Sequence, residues 1–145
     1  MSTFFLIELA GMMALLFCSA FFSSAETALF SLSTLQIHRL RRSHPAQAAA
    51  LETLLATPRR LLSTILIGNT LVNVATATLG YSVVSHWTSY SVAASIPFVT
   101  ILLILFGEIA PKRFAIYHAE RLSLLYSPAL RVLVTLLTQI GRAHV

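Results

Sequence analysis

An acidic residue, a glycine and a proline stand close together where a long apolar segment of the sequence ends. Glu108 directly follows Gly107, Pro111 comes three residues later, and the cations Lys112 and Arg113 complete the stretch. An ionisable side chain at membrane depth is unfavourable unless it is paired, hydrated or bound to an ion. Because Pro111 lacks a backbone donor and Gly107 lets the chain leave helical geometry, we expect a broken helix with free carbonyl oxygens beside the Glu108 carboxylate. Membrane transporters bind cations at broken helices of this kind.

Polar side chains interrupt two other apolar segments. Ser23, Ser24 and Glu26 lie in the first, and Asn69 and Asn73 lie four residues apart on one helical face of the second. Hydroxyl, amide, carboxylate and carbonyl oxygens are the ligands that hard cations such as Mg²⁺ prefer. The only cysteine lies inside an apolar segment and the histidines lie mostly in loops, which disfavours a zinc or copper site. The pattern predicts a cation path but does not by itself select Mg²⁺.

One face of the first apolar segment is polar. Ser19, Ser23 and Glu26 are four and three residues apart, so they lie on the same side of a helix. We expect this side to face the protein interior or water. Glu8, near the start of the segment, is expected to be solvated outside the membrane.

The composition is that of a membrane protein. Of the 145 residues, 57% are hydrophobic and only 10% are charged, whereas a soluble domain carries about 25% charged residues. The net charge is +5, but the cations cluster between apolar segments, so we interpret them as anchors at the lipid surface and predict no nucleic-acid partner.

The apolar segments predict an all-α membrane protein with three transmembrane helices. They are expected at about residues 4–32, 60–84 and 88–116, with a pair of short cytoplasmic helices at about 34–58. The basic residues of this pair and Lys112–Arg113 face the cytoplasm by the positive-inside rule, which puts the N-terminus outside. His86, Trp87 and Tyr90 are predicted to form an outer turn.

The last part of the chain is less apolar. Residues 120–138 are interrupted by Pro128 and Arg131, and their apolar run is shorter than the about 20 residues that a span needs. We predict a juxtamembrane belt helix along the inner interface rather than a fourth crossing. The final residues, 139–145, match one reading frame of a common sequencing adapter. We interpret them as a non-native read-through tail, with a natural polar tail as the alternative.

Three motifs resemble the signature motifs of the CNNM/CorC transmembrane domain. They are residues 21–29 (FFSSAETAL), 66–73 (LIGNTLVN) and 107–112 (GEIAPK), and their order and separation match that family over residues 3–138. The resemblance assigns residues 1–138 to one such domain. It implies a dimeric magnesium transporter of the inner or plasma membrane, usually assigned to export and proposed to be coupled to Na⁺.

The resemblance also implies the site residues and the missing partners. The ion ligands would be Ser23, Asn69, Asn73, Gly107 through its carbonyl, and Glu108, with Ser24 and Glu26 as less direct candidates. The family's cytoplasmic nucleotide-binding regulatory modules are not among these 145 residues, and a truncated chain would explain their absence.

Several alternatives stay open at this point. Asn69 and Asn73 are also suited to hydrogen bonding between helices, and Glu108 is also suited to an ion pair with Lys112. A membrane adaptor that senses Mg²⁺ without transporting it, or a channel, fits the same residues. An intramembrane enzyme is disfavoured, because no nucleophile is matched with a base at the same depth. Oxygen ligands do not distinguish Mg²⁺ from Mn²⁺ or Co²⁺.

Overall fold

The computed structural model describes residues 3–86 and 92–142, and the regular structure of these residues is entirely helical. The predicted all-α membrane fold is therefore confirmed. Trp87 and Tyr90, assigned to the outer turn, lie outside the described residues. The helices are α1 (Thr3–Phe30), α2 (Thr34–Ser43), α3 (Pro45–Leu55), α4 (Pro58–Ser85), α5 (Val92–Leu102), a π-helical segment (Leu103–Ile109), α6 (Ala110–Tyr117) and α7 (Ala119–Arg142).

The helices α1 and α4 form the centre of the bundle and run antiparallel. Each has 28 residues, which gives a length of about 42 Å and exceeds the about 30 Å of a bilayer's hydrocarbon core. At one end Phe5 and Met12 of α1 pack with Val83 of α4, and at the other end Ala25 of α1 packs with Leu61. Residues that are far apart in sequence therefore share the same depth in the membrane.

Within the described residues 92–116, the third predicted span is helical but changes its winding. The chain from α5 to α6 contains the π-helical segment Leu103–Ile109, in which the N–H of Ala110 bonds the carbonyl of Leu105. The chain departs from α-helical geometry where the broken helix was expected, but it does not unwind: no described glycine has a positive φ, and the backbone keeps a helical form. A π turn holds one extra residue, so the helix accommodates the missing donor of Pro111 without unwinding.

Three described helices are long and apolar enough to cross a membrane. They are α1, α4 and the Ala119–Gln139 part of α7. The segment predicted as the third span is absent from this set because its π-helical segment divides it into shorter helices.

The contacts of α7 bear on whether it crosses the membrane. Near its start Leu122 packs against Ala28, and near its end Thr138 lines a groove with Arg59. Ala28 and Arg59 lie at the same end of the bundle, since α1 ends where α4 begins. Both ends of α7 therefore sit at one depth, which favours the predicted belt helix over a fourth crossing.

The helix pair α2–α3 packs beneath this end. Ser33 and Gln36 form a reciprocal capping box that starts α2, and Pro45 and Pro58 occupy the first turns of α3 and α4. Buried leucines of α2, α3 and α7 form one apolar cluster with the last turns of α1 and the first turns of α4: Leu40, Leu51, Leu54, Leu124 and Leu130. This cluster fixes the ends of the helices that carry the candidate site.

Candidate cation site

Ser19 of α1 lies at the point where three membrane helices meet. Its side chain is fully buried, and its Oγ lies 2.7 Å from Oδ1 of Asn73, 3.4 Å from Oδ1 of Asn69 and 3.5 Å from the carbonyl oxygen of Gly107. A hydroxyl has a single proton, so it donates to only one of these three acceptors at a time. Two of the three acceptor oxygens therefore receive no proton from Ser19 at any one time, and oxygen atoms are the ligands that hard cations prefer.

Asn73 connects this cluster to the carboxylate of Glu108. Its Nδ2 donates to Glu108 Oε1 over 3.2 Å, while its Oδ1 faces Ser19. No basic side chain of the described residues forms an ion pair with Glu108. The alternative pairing with Lys112 is not found, because Lys112 lies 3.4 Å from Glu26 instead. In the part of the chain that the structure describes, the Glu108 carboxylate therefore has the Asn73 amide as its partner and no cation.

The π-helical segment supplies backbone oxygens to the site. Pro111 has no N–H, so the Gly107 carbonyl lacks the donor that would bond it one α-helical turn later. The Ser23 hydroxyl donates to the carbonyl of Glu108 over 3.4 Å. A Cβ on Gly107 would lie 2.7 Å from Ser19 Oγ, so glycine is required here for the close approach of α1 rather than for an unusual backbone angle.

The structure brings together five of the seven predicted site residues. Ser23, Asn69, Asn73, Gly107 and Glu108 surround the junction of α1, α4 and the π-helical segment.

The other two predicted residues point elsewhere. The Ser24 hydroxyl lies 2.6 Å from the carbonyl of Ala20 and 3.2 Å from the hydroxyl of Tyr126, so it faces α7. Glu26 is held by Lys112. Neither residue contacts the Ser19 cluster.

Ser19 is a candidate site residue that the family motifs did not include among the predicted ligands. It lies one helical turn before Ser23, and the helical spacing already placed both on one polar face. The missing information was which of the two serines faces Asn73, and that depends on how α1 rotates against α4.

The expectation that Glu8 is solvated is wrong. Only 15% of its side chain is exposed, its Oε1 accepts a hydrogen bond from Ser82 Oγ over 2.8 Å, and its Oε2 lies 3.6 Å from His86 Nδ1. Within the described residues Oε2 is buried without a hydrogen-bond donor. The cause is the antiparallel packing of α1 and α4, which places the start of α1 beside the end of α4.

Comparisons with known proteins support the family that the three sequence motifs resemble. A family model described as the cyclin M transmembrane N-terminal domain matches residues 10–142. The UPF0053 inner membrane protein YfjD of Escherichia coli is 32% identical over 106 residues, which are 72% of this chain and 25% of that protein. A UPF0053 protein of Haemophilus influenzae is 34% identical over 135 residues, 92% of this chain and 31% of its own. A chloroplastic DUF21 domain-containing protein of Arabidopsis thaliana is 32% identical over 129 residues, 88% of this chain and 20% of its own. The chain thus spans a third or less of the length of these relatives.

Proposed function

Because the chain belongs to the family of cyclin M transmembrane N-terminal domains and is embedded in the membrane by its helices, we propose that it transports Mg²⁺ across the membrane. The observation that carries the proposal is the convergence of three acceptor oxygens on the single hydroxyl of Ser19. A site that only joined helices would match donors with acceptors. Here one hydroxyl serves three acceptors, next to a carboxylate that has an amide partner but no basic partner among the described residues.

The spacing of the oxygens suits a small cation. Magnesium–oxygen distances of 2.0–2.1 Å put neighbouring ligands of an octahedron about 2.9 Å apart. Ser19 and Asn73 are already at 2.7 Å, whereas Asn69 and Gly107 are 3.4 and 3.5 Å from Ser19. A bound Mg²⁺ would require α1 and the π-helical segment to approach by about half an ångström, with water completing the coordination.

The charge of the site supports transport better than permanent binding. Glu108 offsets one of the two charges of Mg²⁺, because Glu26 is held by Lys112. The ion would keep a net positive charge in a partly desolvated site, so it is bound weakly enough to leave. A monovalent Na⁺ would be neutralised by Glu108 alone, and competition between the two ions for one site is a simple basis for Na⁺ coupling.

The remaining features of the transport cycle follow the family. We take export by a homodimer from the family resemblance. The N-terminus outside and the basic α2–α3 pair in the cytoplasm follow from the positive-inside rule. Alternating access would use the π-helical segment and Pro111 as the flexing point. Nucleotide-binding modules following this domain in the full-length protein would regulate the cycle.

Flux in sealed vesicles tests the proposal and separates it from the alternative of an ion-sensing adaptor. The purified chain is reconstituted with a Mg²⁺-sensitive dye inside, and an outward or inward Mg²⁺ gradient is imposed with and without an Na⁺ gradient. We expect saturable flux in wild type and none in Glu108→Gln. Saturable Mg²⁺ binding without flux in wild type would support the adaptor instead.

A further inference from the structure

A basic groove lies at the inner end of the bundle, away from the cation site. It is formed by the first turns of α4 and the end of α7, and its volume is about 380 Å³. Its lining includes Arg59, Arg60, Thr64, Ile67, Leu137 and Thr138. The groove therefore combines two guanidinium groups and hydroxyls at its rim with aliphatic side chains below.

The two arginines of the basic groove form no ion pair with a described residue, unlike two arginines of α2. Arg39 pairs with Glu120 at 3.7 Å and Arg41 pairs with Glu52 at 3.9 Å. Across the described ranges 3–86 and 92–142, no carboxylate approaches Arg59 to ion-pair distance. The same holds for Arg60. Thr57, which precedes α4, makes no side-chain cap, so the open amides of the first turn add positive potential to the same place.

Thr64 gives independent evidence that the basic groove receives a ligand. The residue is buried, with 5% of its surface exposed, and it lines the groove. Its hydroxyl makes no hydrogen bond with any residue that the structure describes, whereas Thr76 and Thr78 on the same helix donate to carbonyls one turn before them. Among the described residues, Glu8 Oε2 is the buried side-chain atom that lacks a partner, so the Thr64 hydroxyl is reached from the groove. A ligand oxygen in the groove would accept its proton.

We propose that the basic groove binds the headgroup of an anionic phospholipid. The phosphate would lie between Arg59 and Arg60 and accept the Thr64 hydroxyl, which is the recognition that guanidinium and hydroxyl donors give to phosphate. One acyl chain would then follow Ile67 and Leu137 along the surface of the bundle. A lipid is favoured over free phosphate because Ile67 is 47% exposed directly below the arginines, where a soluble anion leaves it uncovered. Basic pockets between membrane helices commonly bind such headgroups. The proposal does not depend on the transport function.

Thermal unfolding in neutral detergent tests the lipid site. Phosphatidylglycerol, phosphatidylcholine and inorganic phosphate are added separately to the purified chain. We expect phosphatidylglycerol to raise the Tm of wild type by several degrees more than either of the others. Arg59→Gln/Arg60→Gln should lose at least half of this shift. The matched control is Arg42→Gln/Arg121→Gln, which removes the same charge from exposed arginines outside the basic groove and should keep the full shift.

A second variant keeps the test valid if the double arginine variant does not fold. Thr64→Val preserves side-chain volume and charge but removes the hydroxyl, and it should reduce the phosphatidylglycerol shift measurably. An unchanged shift in Arg59→Gln/Arg60→Gln, or in Thr64→Val when the arginine variant cannot be purified, overturns the proposal. An equal loss in the Arg42→Gln/Arg121→Gln control also overturns it, because attraction would then be diffuse. An equal shift with inorganic phosphate would assign the groove to a soluble anion instead.

Discussion

Ser19 Oγ and Asn73 Oδ1 lie 2.7 Å apart across the interface of α1 and α4, which makes this the shortest contact of the Ser19 hydroxyl. The two residues are 54 positions apart in the chain. Their contact fixes how α1 is rotated against α4 and decides which polar side chains share the site.

The hydroxyl of Ser19 should be required for ion binding although the sequence motif does not include it. We expect Ser19→Ala to weaken Mg²⁺ binding by about tenfold or more, which corresponds to about 1.4 kcal/mol, because a buried ligand oxygen is lost. The Mg²⁺-dependent rise in Tm measures this effect. Ser31→Ala, at an exposed position directly after α1, is the control and should bind as wild type does. Equal affinity in Ser19→Ala and wild type would place the ion elsewhere.

The two acidic residues near the site should differ sharply. Glu108→Gln should abolish the Mg²⁺-dependent rise in Tm, because Glu108 is the only carboxylate that reaches the Ser19 cluster through Asn73 among the described residues. Glu26→Gln should retain it, because Glu26 is occupied by Lys112. Calorimetric titration of both variants with Mg²⁺ checks the difference. Loss of binding in Glu26→Gln alone would show that the ion lies closer to the inner surface.

A methyl group at Gly107 should disturb both packing and binding. The added Cβ in Gly107→Ala would lie 2.7 Å from Ser19 Oγ, so we expect a loss of about 1–3 kcal/mol in stability and a loss of Mg²⁺ response. In the double variant Gly107→Ala/Ser19→Ala, the Oγ is gone and the new Cβ at position 107 would lie 3.3 Å from the Cβ at position 19. The free energy of unfolding should therefore recover in part, whereas Mg²⁺ binding should not.

Gly68→Ala is the matched control for this prediction. Its Cβ would lie 2.5 Å from the half-buried ring of Phe22, outside the Ser19 cluster. The Tm should fall, and the shift produced by Mg²⁺ should persist. If Gly68→Ala also removed the shift, tight packing in general would explain the Gly107 result.

The contact between Glu8 and Ser82, at the end of the bundle opposite α2 and α3, should matter for stability but not for the cation site. Ser82→Ala removes the hydroxyl that donates to Glu8 Oε1 and leaves a mostly buried carboxylate with fewer partners. We expect a loss of about 1–3 kcal/mol. The Tm of Ser82→Ala, measured with and without Mg²⁺, separates an effect on stability from an effect on ion binding. The Tm itself should fall, whereas the increase in Tm that Mg²⁺ produces should stay as in wild type. A smaller increase would link this end of the bundle to ion binding.

The sequence predicted the helices because hydrophobicity and charge determine them directly. The first two spans were placed within a few residues of α1 and α4, and Pro45 and Pro58 marked where helices begin. The belt helix stays a prediction, because α7 meets the length and composition of a span and only its contacts with α1 and α4 favour the inner interface.

The candidate site was predicted less completely, since it depends on helix rotation. The motif residues Asn69, Asn73 and Glu108 meet as the spacing suggested. Ser24 does not meet them, because a neighbouring position on α1 points about 100° away, and in this helix that direction faces Tyr126. Glu8 was misread for a related reason: its partners Ser82 and His86 come from α4, and local sequence says nothing about them.

The π-helical segment also sets the rotational register of the third predicted span. One extra residue in a helix turns everything on one side of it by about 100° relative to a continuous α-helix. The face that Gly107 and Glu108 present to α1 is therefore set by this insertion and not by the α-helical periodicity of Val92–Leu102.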